Sequence, residues 1–274
     1  MDLNSTEQNR HQKATAVAYA NIALIKYWGK RDIELNLPAA GSISLTLDAL
    51  KTETSVHFDE NRQNDYFELN EKIITGKPLA KITRFLDIAC GQKRYKAYVK
   101  SKNNFATSAG LASSASGFAA LAVAAIEASG QKRSRKELSR LARQGSGSAA
   151  RSIYGGFVEM RCEDERDCAV KLHDSTYWDV RMIIAITSNR KKSISSTAGM
   201  KRTAKTSPYY TAWLKQQPHD LNEMREAINQ KDFEKMGELA ERSCLKMHGL
   251  AMSAKPPLFY WNDTTVKVIN IIRN

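Results

Sequence analysis

The apolar positions of the first hundred residues recur mostly with period two, whereas those beyond about residue 195 recur with the spacing of a helix face. "TAVAYANIALIKYW" and "YKAYVKSKNN" read as strands, and "GSISLTLDAL" followed at once by "KTETSVHFD" reads as the two strands of a hairpin. "PLAKITRFLDIAC" spaces its apolar residues along one helix face. A strand-to-turn-to-helix transition follows at "FATSAGLASSASGFAALAVAAIEASG", where Gly130 closes the helix. "RSRKELSRLARQGSGSAARSIYG" predicts a basic helix, a Gly/Ser turn and a second helix start, while "GGFVEMRC" and "DVRMIIAITS" predict strands. The chain is then mostly helical, and "NDTTVKVINIIRN" predicts a last helix capped by Asp263 with Val266, Ile269 and Ile272 on one side. Strands leading and helices trailing imply an α+β fold, with a flexible tail over 1–13, one domain over 14–187 and a second over 188–274.

The stretch from Ala109 to Ile126 carries no charge. It is built from Ala, Ser and Gly and falls short of the roughly 20 strongly apolar residues a membrane span needs, so it predicts a buried helix. With 26% charged and 42% hydrophobic residues the chain has ordinary globular composition, but its formal net charge is +13. That excess draws anions and leaves nucleic acid, an anionic membrane and phosphorylated metabolites as partner classes. Cys90, Cys162, Cys168 and Cys244 show no zinc or redox spacing, which predicts reduced thiols in a cytoplasmic protein. His11, His57, His173, His219 and His248 are scattered without metal spacing, so no metal site is expected.

Three hydroxyl-rich places could each start a helix. Residues 107–117 offer Gly110 and the hydroxyls of Thr107, Ser108, Ser113 and Ser114 beside free helix N–H groups, which favour phosphate as much as they favour close helix packing. At "GSGSAARS", Ser146 and Ser148 flank Gly147, and Arg151 adds the planar fork that suits phosphate oxygens. Ser195, Ser196 and Thr197 sit among cations in a run that would also suit a solvated surface. Finally, "ANIALIKYWGK" ends an apolar strand in Lys26, Tyr27, Trp28 and Lys30, a cationic, aromatic rim for an anion.

Taken in order, "ANIALIKYWGKRD", "LPAAGSISLTLD", "FATSAGLASSASGFAALA", "GSGSAARSIYGGFVE", "SISSTAGMKRTAKTSPYY" and "PPLFYWNDTT" resemble the diphosphomevalonate decarboxylase family of the GHMP small-molecule kinase superfamily. The resemblance implies a ribosomal-protein-S5-like first half and a ferredoxin-like second half, with the active site between them. It implies ATP and Mg²⁺, a phosphorylated small-molecule substrate rather than nucleic acid or membrane, and a homodimer. Carried onto this chain, the substrate residues are Tyr27, Trp28, Gly29, Lys30, Lys81, Ser146, Gly147, Ser148, Ala149, Ala150, Arg151 and Thr197. Those for ATP are Thr107, Ser108, Gly110, Leu111, Ala112, Ser113 and Ser114.

The implied reaction phosphorylates a tertiary hydroxyl and then expels phosphate and CO₂ to leave isopentenyl diphosphate. Where the family has Pro-x-Asn-Ser-Ser this chain has Pro38, Ala39, Ala40, Gly41 and Ser42, which leaves phosphomevalonate decarboxylase and mevalonate 3-kinase as alternatives. The family continues to an Asp-Ala-Gly-Pro-Asn block that supplies its catalytic aspartate, and this sequence stops at Asn274. The expectation is therefore an incomplete second domain, with Lys30 as a catalytic candidate and Asp32 as the one substitute acid. A ligand-binding remnant without catalysis stays open on this reading.

Overall fold

The computed structural model describes residues 13–105, 113–162, 167–188 and 194–273. Its strands are β1 (Lys13–Ile25), β2 (Lys30–Asp32), β3 (Leu37–Pro38), β4 (Ser42–Asp59), β5 (Tyr66–Leu69), β6 (Lys72–Ile74), β7 (Lys96–Asn103), β8 (Phe157–Met160) and β9 (Ala169–His173). The helices are α1 (Lys77–Cys90), α2 (Ser113–Ala128), α3 (Arg135–Gly145), α4 (Ser196–Thr206), α5 (Tyr210–Gln230), α6 (Phe233–Met252) and α7 (Asp263–Arg273), with a 3-10 helix over Gly147–Ile153.

The expected hairpin over residues 42–59 is instead one long strand. Strand β1 runs antiparallel along nearly its whole length, from Lys13↔His57 to Ile25↔Ile43, so the chain has no cause to turn back. The other edge of β4 is shared, with β8 on Ser42–Leu45 and β7 on Thr52–Asp59. The register slips where Tyr19 faces Lys51 but Asn21 faces Thr46, so residues 47–50 oppose Ala20 alone. That irregularity bends the ribbon, as a bulge does. The full sheet has the order β6-β5-β7-β4-β8-β9, with β1 on β4 and the pair β5–β7 parallel.

One face of the sheet is covered by α1, α2 and α3, with Val56, Phe58 and Val99 meeting Phe85, Leu86 and the buried alanines of α2. This is the uncharged stretch, and small residues let its backbone lie close to the strands. Helix α3 opens with a capping box between Ser134 and Glu137. Helices α5 and α6 cover the ends of β1 and β4, where Ile25, Ile43 and Phe157 pack on Met224 and Ile228.

Two sequence expectations need correction. "DVRMIIAITS" forms no strand: no described residue offers it a ladder partner, and Ile183 is 97% exposed. Helix α7 is capped by Asn262 rather than Asp263, because the Asn262 Oδ1 accepts from the Thr265 N–H at 2.7 Å. No residue of α7 is fully buried among those described: Val268 and Ile269 are half-buried, while Val266, Ile271 and Ile272 are exposed.

Asp65 and Arg94 tie β5, α1 and β7 together. Both side chains are 3% exposed, and the guanidinium grips the carboxylate with two bonds of 2.8 and 2.7 Å. Burial alone would raise the Asp65 carboxyl, but the Arg94 hydrogen bond and the Ala97 N–H outweigh it and hold it below the usual carboxylate range. Because the folded value lies below the unfolded one, the stabilisation is present above about pH 4 and fades as pH falls through the folded value. Asp65→Asn is expected to cost about 3 kcal/mol at pH 7. Urea unfolding should show the gap to the parent protein closing towards pH 2–3, whereas a gap unchanged with pH would contradict this role.

Candidate active site

The end of β1, the 3-10 helix and the N-terminal ends of α2 and α4 meet around a cavity of about 500 Å³. Helix starts present free N–H groups and a positive dipole end, so this convergence favours an anion. Of the sequence-derived substrate residues, Tyr27, Trp28, Lys30, Lys81, Ser146, Gly147, Ser148, Arg151 and Thr197 line it. Ser113 and Ser114 of the ATP set also line it. Thr107, Ser108, Gly110, Leu111 and Ala112 lie outside the described residues.

The other three sequence-derived residues are not in the lining. Ala149 and Ala150 point into the apolar core, and the Ala150 carbonyl accepts from the Ser139 hydroxyl at 3.0 Å. Gly29 forms the turn out of the site with φ +111, a conformation that a side chain disfavours. Asp32 is also absent from the lining, since its Oδ1 accepts the Leu35 N–H at 2.7 Å and closes the turn after β2. The described lining contains no carboxylate at all.

Arg151 is 2% exposed and, among the described residues, is held by neutral groups. Its Nε donates to Ser44 Oγ at 2.9 Å, Nη1 to Ser42 Oγ at 2.5 Å and Nη2 to Asn21 Oδ1 at 3.2 Å. Asn21 in turn donates to the Ser148 carbonyl at 3.1 Å and to Ser152 Oγ at 2.8 Å. This network fixes the 3-10 helix against β1 and β4. Burial pulls the guanidinium down to about 10, which leaves it charged at neutral pH.

Three lysines share the cavity. Lys30 Nζ donates to Asn36 Oδ1 at 2.5 Å and reaches Thr197 Oγ1 at 3.5 Å. Lys26 Nζ donates to the Ala23 carbonyl at 2.8 Å, and Lys81 Nζ lies 4.4 Å from the Phe118 ring centroid. Burial lowers the pKa of all three, and the Lys30 charge lowers that of Lys81 further. A polyanion entering the cavity would reverse these shifts by supplying the missing countercharge. Burial raises the Tyr27 hydroxyl against the opposing pull of Arg151, so Tyr27 is a proton donor for hydrogen bonding and no base.

Tyrosine hydroxyls rest against bare glycines around this site. A Cβ on Gly147 would fall 2.4 Å from the Tyr27 hydroxyl, one on Gly29 1.9 Å from that of Tyr210, and one on Gly199 2.1 Å from that of Tyr260. At Gly199 the next neighbours are Trp28 ring atoms at 3.4 Å, so the Tyr260 oxygen is the whole obstruction. Gly199→Ala is expected to cost about 1–3 kcal/mol of stability in the parent protein, and under about 1 kcal/mol when Tyr260→Phe is already present. Thermal unfolding of the four proteins of this cycle checks it; equal costs in both backgrounds would contradict the contact.

Ser195 and Ser196 line the cavity as the sequence suggested; Asn21, Ile22, Ala23, Asn36, Gly145, Met200 and Met247 also line it without having been singled out, and Lys26 was noted only as a rim cation. Asn21 had one available signal, as a lone polar side chain within an apolar strand. Trp28 packs on Met200 and Trp213 as a wall, with its indole nitrogen buried and unpartnered. Away from the cavity, His219, Asp220 and Glu223 lie close enough to hold an ion, but Lys246 takes the Asp220 carboxylate.

A mixed sheet backed by helices, with helix starts, Ser/Gly loops and lysines gathered at one cavity, is the frame of a phosphate-handling enzyme, and it matches the GHMP-kinase fold of solved mevalonate diphosphate decarboxylases. Family models refine this: residues 18–170 match a diphosphomevalonate decarboxylase-like N-terminal domain, and residues 182–274 match a mevalonate 5-diphosphate decarboxylase C-terminal domain. The diphosphomevalonate decarboxylases of Ganoderma lucidum and Saccharomyces cerevisiae are each 38% identical, over 95% and 94% of this chain and 70% of their own lengths. The crystal structure of mevalonate diphosphate decarboxylase from Staphylococcus aureus superposes with a TM-score of 0.89 at 40% identity, covering 96% of this chain and 81% of that one. A structure described as MDDEF in complex with MVAPP, AMPPCP and magnesium gives 0.89 at 41% identity, covering 96% of this chain and 82% of that one. The chain belongs to the diphosphomevalonate decarboxylase family.

Proposed function

We propose that the protein converts (R)-5-diphosphomevalonate and ATP to isopentenyl diphosphate, ADP, phosphate and CO₂, using the cavity at the end of β1. The observation that carries this reading is a buried arginine with no carboxylate partner among the described residues, facing the same cavity as three lysines. Ser146, Gly147, Ser148 and Arg151 hold the diphosphate, with the Tyr27 hydroxyl donating beside them. Ser113 and Ser114 at the start of α2 face the ATP phosphates, and Lys30, positioned by Asn36 and Thr197, lies between the two groups.

The donor set suits a Mg²⁺ ion that arrives on ATP, with the hydroxyls of Ser113 and Ser114 as its protein-side oxygens. Mg²⁺ there would neutralise phosphate charge. The chain's own residues act by position: a diphosphate anchored far from the reacting carbon places the tertiary hydroxyl in line with the γ-phosphate. Phosphorylation makes that oxygen a leaving group. Its departure as phosphate, together with loss of the carboxylate as CO₂, creates the double bond. No described helix is long and apolar enough to cross a membrane. The four free cysteines support a reducing, cytoplasmic setting.

Incubation with (R)-5-diphosphomevalonate, ATP and Mg²⁺ tests this, with ADP and CO₂ followed in one tube. Equal amounts of both are expected, and Lys30→Met should lower kcat/KM by about 10²–10³ with the melting temperature little changed. ADP without CO₂ would make the protein a kinase, and neither product would remove the reading.

A further inference from the structure

A second cavity, of about 290 Å³, lies where the loop after β3 and the end of β8 meet α5, and it shares no lining residue with the first. We propose that it is a binding site for a small hydroxylated monocarboxylate with a compact apolar body. Its size is at the small end of ligand pockets.

The chemistry of its wall sets the class of ligand. Arg161 and Arg225 bring two positive charges against the single negative charge of Glu159. Glu159 is buried and already holds Arg225, with Nε to Oε2 at 3.1 Å, so one guanidinium charge, that of exposed Arg161, is left for a ligand. One spare charge matches a monoanion rather than a diphosphate.

Helix α5 supplies the rest. Gln217 is 1% exposed, and neither its amide oxygen nor its amide nitrogen has a partner, a cost that buried polar groups rarely carry without purpose. It therefore has both a donor and an acceptor to offer a hydroxyl. Pro218 follows it inside the helix and has no N–H to give the Leu214 carbonyl, which adds a second acceptor on the same side. Leu214, Leu221 and Ala40 give the wall an apolar side, while Asn222 is already engaged by Arg225 and Cys162 by the Pro38 carbonyl.

The experiment is a ¹H–¹⁵N NMR titration of the whole protein with 3-hydroxy-3-methylbutyrate, alongside the uncharged 3-methylbutane-1,3-diol and inorganic phosphate. Saturating shifts are expected at the Gln217 side-chain amide and the Gly41 backbone, and they should persist when excess inorganic diphosphate already occupies the first cavity. Arg161→Ala, which alters an exposed residue, should weaken binding by about tenfold or more, as should loss of the ligand's charge in the diol. Absence of saturation by about 20 mM, which is weaker than any specific site would show, would overturn the proposal. So would an equal response to phosphate, shifts confined to Gly147, or an Arg161→Ala protein that binds as the parent does.

Discussion

Arg151→Met is expected to weaken binding of a diphosphate ligand by about 100-fold while leaving the free protein's melting temperature within a few degrees of the parent's. The two effects separate because of what surrounds the side chain. In the free protein the guanidinium is buried among Ser42, Ser44 and Asn21, none of which bears a charge. Taking an ion out of water costs several kcal/mol, and neutral dipoles offset only part of that. Methionine removes the cost, but it also removes the donors that Asn21 and the two serines accept from, each worth about 1–3 kcal/mol when left unmet. A serine that loses this donor still donates its own proton, as Ser44 does to the Val158 carbonyl at 3.5 Å, so the loss is partial and the sum lies near zero. A ligand phosphate, by contrast, loses the one guanidinium among its countercharges, with only the three lysines left in the described lining. Titration calorimetry with inorganic diphosphate and thermal unfolding check both halves; a large fall in stability with binding intact would make Arg151 a structural residue only.

Gly147→Ala is expected to reduce diphosphate binding by about 30-fold or more and to cost about 1–3 kcal/mol of stability. The new Cβ would lie 2.4 Å from the Tyr27 hydroxyl and 2.6 Å from its ring carbon, so removing the oxygen alone gives no relief. Either the tyrosine leaves the cavity or the start of the 3-10 helix moves off β1, and both displace groups assigned to the diphosphate. In a Tyr27→Ala background the stability cost should shrink to under about 0.5 kcal/mol, since the obstruction is then gone. Calorimetric binding and urea unfolding of the four proteins provide the check, and an undiminished cost would place the strain elsewhere.

The parts of the fold and site legible in the sequence are those set by local chemistry. Serines and glycines at helix starts mark candidate anion loops because the same short segment supplies the hydroxyls and the free N–H groups. Two of those segments, at Ser146 and Thr197, reach the cavity, as does the start of α2 at Ser113. What stayed hidden depends on distant partners. The continuity of β4 is imposed by β1 along its edge, and period-two patterning looks the same in a hairpin. Residues 179–188 have strand composition, but a strand exists only through pairing. Asn21 acts through Arg151, which is 130 positions away. Asp32 looked well placed because it follows Lys30 closely, yet the turn it closes takes its carboxylate.

The central claim is that Arg151 and the Ser/Gly turn before it recognise the terminal diphosphate of the substrate. The most direct measurement is calorimetric titration of the protein with (R)-5-diphosphomevalonate and with its 5-monophosphate counterpart, each repeated on Arg151→Met. This account predicts one saturable site, preference for the diphosphate by about tenfold or more, and loss of that preference in the variant. Equal affinity for the two compounds, or a preference that survives the substitution, would contradict it.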